Sequence, residues 1–137
     1  MLDVGVALVM ALICIIVHFE ALILIERMVD SIRSARLSLL TAWTGLLIAH
    51  VVEIWLYAVA YAGCAYYGVG ELRGAETFLD YGYYSEVVYT TLGFGDIVPG
   101  EGVQILTGSE ALVGLSLIAW SATVTYSRVL LHQSNRR

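Results

Sequence analysis

Three stretches of the chain, residues 4–25, 39–62 and 103–126, are apolar with few interruptions. The hydrocarbon core of a bilayer is about 30 Å thick and a helix rises about 1.5 Å per residue, so roughly 20 apolar residues cross it. Each stretch therefore predicts a membrane-spanning helix. The interval between the second and third divides by composition. Residues 63–76 are glycine-rich and irregular, as an exposed turret would be, whereas 77–89 are apolar and aromatic but too short to span. A segment of that length predicts a re-entrant helix, and Thr77 followed by Asp80 supplies a capping start. The expected architecture is an all-α membrane protein with three spanning helices, and a re-entrant helix and loop between the last two. Residues 1–38 would form an extra helix and a cytoplasmic linker. Residues 39–137 would form one module, with its loop at 91–95 and a short tail.

Composition supports this reading. The chain has 137 residues, 59% hydrophobic and only 14% charged, with a mean hydropathy of +0.80; soluble domains carry about 25% charged residues. The first stretch lacks the basic start and small-residue cleavage site of a secretory leader, so it is read as a retained helix. All seven basic residues are arginines. Arg27, Arg33 and Arg36 lie between the first two helices, Arg128, Arg136 and Arg137 follow the third, and Arg73 alone lies on the other side. The positive-inside rule then predicts a multi-pass cell-membrane protein, its N-terminus outside and its C-terminus cytoplasmic. Tyr57, Tyr61, Tyr66 and Tyr67 would form an aromatic belt near the outer interface. The net charge of −5 would sit mostly outside, on Glu71, Glu76, Asp80, Asp96 and Glu101, where it concentrates cations. No nucleic-acid partner is expected. Cys14 and Cys64 have no metal or redox spacing and are read as unpaired.

Residues 90–96 read Thr-Thr-Leu-Gly-Phe-Gly-Asp. Stripping water from a monovalent cation requires a replacement shell of oxygens, which backbone carbonyls aimed at one axis can supply. Successive carbonyls point the same way only if some residues enter positive φ, which glycine does at little steric cost, hence Gly93 and Gly95. Thr91 adds a hydroxyl oxygen. Leu92 and Phe94 turn their side chains away from the axis and wedge the loop in place. Irregular backbone at membrane depth must be covered by protein or line a water-filled cavity. One loop gives one wall, so several subunits are implied.

At this motif the chain resembles the tetrameric potassium channels, whose signature is Thr-Val/Ile/Leu-Gly-Tyr/Phe-Gly-Asp. The similarity covers about residues 39–126 and is closest to small prokaryotic two-helix pores, with one extra N-terminal membrane helix here. The resemblance implies a homotetramer in the lipid bilayer that conducts potassium passively, with potassium itself the permeant ion, no organic cofactor and no enzymatic activity. It implies that Thr91, Leu92, Gly93, Phe94 and Gly95 form the ion-binding filter, with potassium held at Thr91, Leu92, Gly93 and Phe94. Asp96 would sit behind the outer mouth and bond Tyr83 of the pore helix. Two positions depart from the family. Phe94 stands where a tyrosine is usual, and the facing pore-helix residue is the apolar Val88. Glu86 places a carboxylate on the pore helix, with Val87 where some relatives carry glutamate.

Other residues extend the picture. Glu110, within the third helix, is read as a brace behind the filter, bonding the pore helix near Glu86 or Tyr89. Gly114 falls where relatives often have a hinge, with Leu115, Ile118 and Thr123 lining a cavity and Tyr126 near its inner mouth; Gly108 is read as a site of close helix approach. The first helix is expected to pack outside the second. His18 and Glu20 on the first helix and His50 and Glu53 on the second lie at similar depth, which predicts a polar contact between these helices. No helix carries arginines at every third position, so no voltage sensor is expected.

Overall fold

The computed structural model describes residues 2–134. Its elements are α1 (Leu2–Asp30), α2 (Ala35–Tyr66), β1 (Leu72–Arg73), α3 (Phe78–Tyr89), β2 (Val98–Pro99) and α4 (Gln104–Ser134). Three helices, α1, α2 and α4, are long and apolar enough to cross a membrane. Each extends past its apolar stretch, since charged and aromatic flanks continue a helix readily once its backbone hydrogen bonds are running. The first four residues of the expected turret thus belong to α2. That helix ends where Gly68 takes φ +67° and Val69 N–H returns to the Cys64 carbonyl at 2.9 Å.

The start of α3 was legible in the sequence. The Asp80 carboxylate accepts from the Thr77 amide at 2.6 Å, the Glu76 amide at 2.9 Å and the Thr77 hydroxyl at 3.0 Å. These bonds hold its pKa below the ordinary carboxylate value. The β1–β2 pair was not foreseen. Leu72 pairs with Pro99 and Arg73 with Val98, antiparallel, which ties the turret to the chain just beyond the 91–95 loop.

The first helix packs against both α2 and α4, not only outside α2 as the sequence suggested. Two apolar clusters form the core. One gathers Cys14, Tyr57, Tyr61, Tyr84, Leu106 and Leu117 with their neighbours; the other joins Leu22, Ile25 and Val29 of α1 to Ala42 and Leu46 of α2. Between them in chain order, on each helix, lie the fully buried His18 and Glu53. The flanks Leu8, Leu12 and Ile16 of α1 and Leu40, Leu47 and Ile48 of α2 stay exposed, as lipid-facing residues would. Both cysteines are buried and unpaired.

Candidate functional site

The 91–95 loop leaves α3 through a turn that reverses handedness. Thr91 has φ +60°, Gly93 +61° and Gly95 +82°, while Leu92 and Phe94 between them keep negative φ. Glycine accepts such angles freely. A β-branched threonine there is an outlier costing about 1–3 kcal/mol, tolerated only where its surroundings over-determine it. The sequence pointed to the two glycines and missed Thr91. Three amides of the loop turn back onto the end of α3. Thr91 N–H donates to the Val88 carbonyl at 2.9 Å, and Leu92 and Gly93 N–H donate to the Val87 carbonyl at 2.9 and 3.4 Å. A peptide plane that aims its N–H toward the helix aims its carbonyl away from it.

The loop's flanks are fastened separately. Tyr83 donates its hydroxyl to Asp96 at 2.8 Å, the pairing expected from the sequence. That bond lowers the pKa of Asp96 and raises that of Tyr83. Leu92 and Phe94 remain 60% and 66% exposed in the single chain. Val88 packs inward against the larger core cluster.

Behind the loop, two buried polar clusters carry α3. In the first, Glu110 of α4 lies 2.5 Å from the Ser85 hydroxyl and accepts from Tyr61 at 2.5 Å. Its partner on α3 is therefore Ser85, not Glu86 or Tyr89. Glu86 faces outward, because one residue along a helix rotates the side chain by about 100°. Ser85 also lies 2.7 Å from the Ile54 carbonyl, yet its hydroxyl has a single hydrogen for two acceptors. The count closes when the Glu110 carboxyl itself donates to Ser85. Tyr84 and Tyr61 both reach Thr107, at 3.0 and 3.3 Å.

The second cluster joins four helices. Glu53 is fully buried, with His18 Nδ1 at 2.9 Å from Oε1 and His50 Nδ1 at 3.2 Å from Oε2. Tyr89 also donates to Glu53 Oε2, and its hydroxyl oxygen lies 2.9 Å from His50 Nδ1. Ser121 of α4 closes the ring, its Oγ 3.1 Å from His50 Nε2 and 3.2 Å from His18 Nε2. Sequence reasoning brought the two histidines and Glu53 to one depth. It missed Tyr89 and Ser121, which enter only through packing, and it included Glu20, which is exposed.

The two glycines of α4 differ in their surroundings. A Cβ on Gly108 would meet nothing within 4 Å, whereas one on Gly114 would overlap the Tyr89 carbonyl oxygen and lie 2.9 Å from Tyr89 Cγ. Gly114 is the close-approach position, and α4 runs through it without a break. Ile118 lines the groove between α2 and α4 beside His50; Thr123 lines a crevice with Glu26 and Arg128 on the α1 side. Leu115 and Tyr126 are exposed.

No curated protein and no solved structure is significantly similar to this chain. A family model described as an ion channel matches residues 39–130, the span from α2 through the 91–95 loop and into α4. A short helix, a left-handed loop and a following apolar helix, braced from behind by buried polar clusters, thus lie inside the matched span, and the chain belongs to the ion channel family.

Proposed function

We propose that this chain is a subunit of a potassium-selective channel, four copies surrounding one pore, with Thr91, Leu92, Gly93 and Phe94 contributing carbonyl oxygens to the ion path. The observation that carries this reading is the alternation of positive φ at Thr91, Gly93 and Gly95 with negative φ between them. Such alternation rotates successive peptide planes the same way, so their oxygens align along one edge. The amides bonded back to Val87 and Val88 support an edge that faces away from α3. A row of closely spaced oxygens on a partly rigid loop suits a dehydrated monovalent cation and the multi-ion passage that repulsion drives.

The exposed Leu92 and Phe94 side chains support the assembly. A hydrophobic ring left 66% exposed beside irregular backbone has its natural cover in the neighbouring subunit. Four loops are needed because one supplies a single wall. Glu110, through Ser85, and Asp96, through Tyr83, act as braces behind the loop. The pore accordingly lies in the cell membrane, with the arginine-rich ends of the helices toward the cytoplasm.

The test is flux from proteoliposomes of the purified full chain, with barium as blocker and reversal potentials in mixed potassium and sodium. Barium-sensitive flux favouring potassium is expected. Gly93→Ala should abolish it, since the φ of +61° admits no Cβ without strain. Equal permeability to sodium, or a Gly93→Ala chain that conducts normally, would overturn the reading.

A further inference from the structure

The cluster of His18, His50, Glu53, Tyr89 and Ser121 contains more contacts than hydrogens. Its six contacts are His18 Nδ1 with Glu53, Tyr89 with Glu53, His50 Nδ1 with both the Tyr89 and the Glu53 oxygens, and each Nε2 with Ser121. The two at His50 Nδ1 share one hydrogen, so five are needed. Two neutral imidazoles, one tyrosine and one serine supply four. With both Nδ1 atoms protonated, one Nε2 lone pair faces a Ser121 oxygen that has already spent its hydrogen elsewhere. Something else has to complete the cluster.

We propose that His18, His50 and Glu53 form a site for one divalent transition-metal ion of the zinc class. Donor atoms of these three residues all lie within 4.8 Å of one another. A tetrahedral ion with bonds of about 2.0–2.1 Å needs donors roughly 3.3 Å apart. The separations from His18 Nδ1 to Glu53 Oε1, 2.9 Å, and from His50 Nδ1 to Glu53 Oε2, 3.2 Å, reach that with small outward shifts, the carboxylate offering both oxygens. The ion takes both Nδ1 lone pairs and the Glu53 carboxylate. Each imidazole then carries its hydrogen on Nε2, and both N–H groups donate to Ser121, whose oxygen has two lone pairs to accept them. Ser121 lies nearly midway, at 3.1 and 3.2 Å, where an outer partner that orients metal-bound histidines belongs. Tyr89 keeps its bond to Glu53.

Donor chemistry selects the ion. Two imidazole nitrogens and one carboxylate suit zinc, cobalt, nickel or copper and discriminate against potassium and magnesium, which prefer oxygen alone. Access runs along the groove between α2 and α4, onto which His50 opens; His50 is 15% exposed while His18 and Glu53 are fully enclosed. An ion here would pin α1 to α2 beside Tyr89, the last residue of α3, two positions before Thr91. The site is independent of which ion the pore conducts.

The experiment uses the full chain in detergent, stripped with chelator, then loaded with zinc or cobalt and desalted. Elemental analysis should find about one zinc per chain, and cobalt should give the intense visible bands of a low-symmetry site, not the faint bands of the hydrated ion. The His18→Gln/His50→Gln double variant should lose the ion, judged at an elution volume equal to that of the wild type. Ser121→Ala should bind roughly 10–100-fold more weakly, and Glu20→Gln, at an exposed position of α1, should bind normally. Wild-type protein that retains no zinc after desalting overturns the proposal and leaves a proton as the completing charge. Zinc retained equally by the double variant also overturns it and moves the ion elsewhere, for instance to the acidic turret.

Discussion

Gly114→Ala should cost stability and conduction together, and Gly108→Ala is its internal control. Both replace glycine in the same helix, α4, where alanine is favoured by about 1 kcal/mol on propensity alone. At Gly108 nothing opposes the new methyl, so the variant should be neutral or slightly stabilised. At Gly114 the methyl would overlap the Tyr89 carbonyl oxygen, with further atoms of Tyr89 at 2.9 and 3.0 Å. Backbone is the obstacle here, and a flexible side chain cannot swing clear, so α4 must move away from α3. Overpacking of this kind costs about 1–3 kcal/mol, and because the propensity gain is common to both, the two variants should differ by roughly that amount. The displaced carbonyl belongs to the residue two before Thr91, so the loop should shift as well. Thermal unfolding of the purified protein, followed by tryptophan fluorescence, measures the first effect and liposome flux the second. A hinge at Gly114 makes a different demand, since a hinge substitution alters opening without weakening the folded state. Equal melting temperatures for the two variants would refute the packing argument.

Glu110→Gln should be tolerated, because an amide donates to Ser85 and accepts from Tyr61 as a carboxylic acid does. Glu110→Ala should lose about 2–5 kcal/mol by leaving a cavity and stranding two buried hydroxyls; denaturant titration compares them. Tyr83→Phe should raise the Asp96 pKa toward the ordinary carboxylate value, because the hydroxyl that lowers it is gone. A depressed carboxylate contributes its stability above the unfolded value and loses it only as pH falls through the folded one. Wild-type flux should therefore withstand acid at this contact better than the variant, which should weaken at higher pH than wild type. Arg128→Gln should change stability by no more than about 1 kcal/mol, because its carboxylate partners Glu26 and Asp30, at 3.5 and 3.7 Å, are exposed. The small effect should vanish in high salt.

The number of spanning helices, the short helix at 77–89 with its Asp80 cap, and the glycines of the loop were all determined by the sequence alone. Those features follow from local rules: apolar length, capping chemistry within four residues, and the steric freedom of glycine. The Tyr83–Asp96 bond was legible too, through resemblance. What only the tertiary structure decided depends on helix rotation and on neighbours distant in the chain. A rotation of about 100° per residue separates Ser85, which meets Glu110, from Glu86, which faces outward. The same rotation puts Ile118 and Thr123 on different faces of α4. Packing of α1 onto both α2 and α4 set Ser121 and Tyr89 against the two histidines, and packing of α3 on α4 pressed Tyr89 against Gly114 and not Gly108. The chain's own periodicity carries no record of those rotations, because lipid-facing and protein-facing positions in a membrane helix are equally apolar.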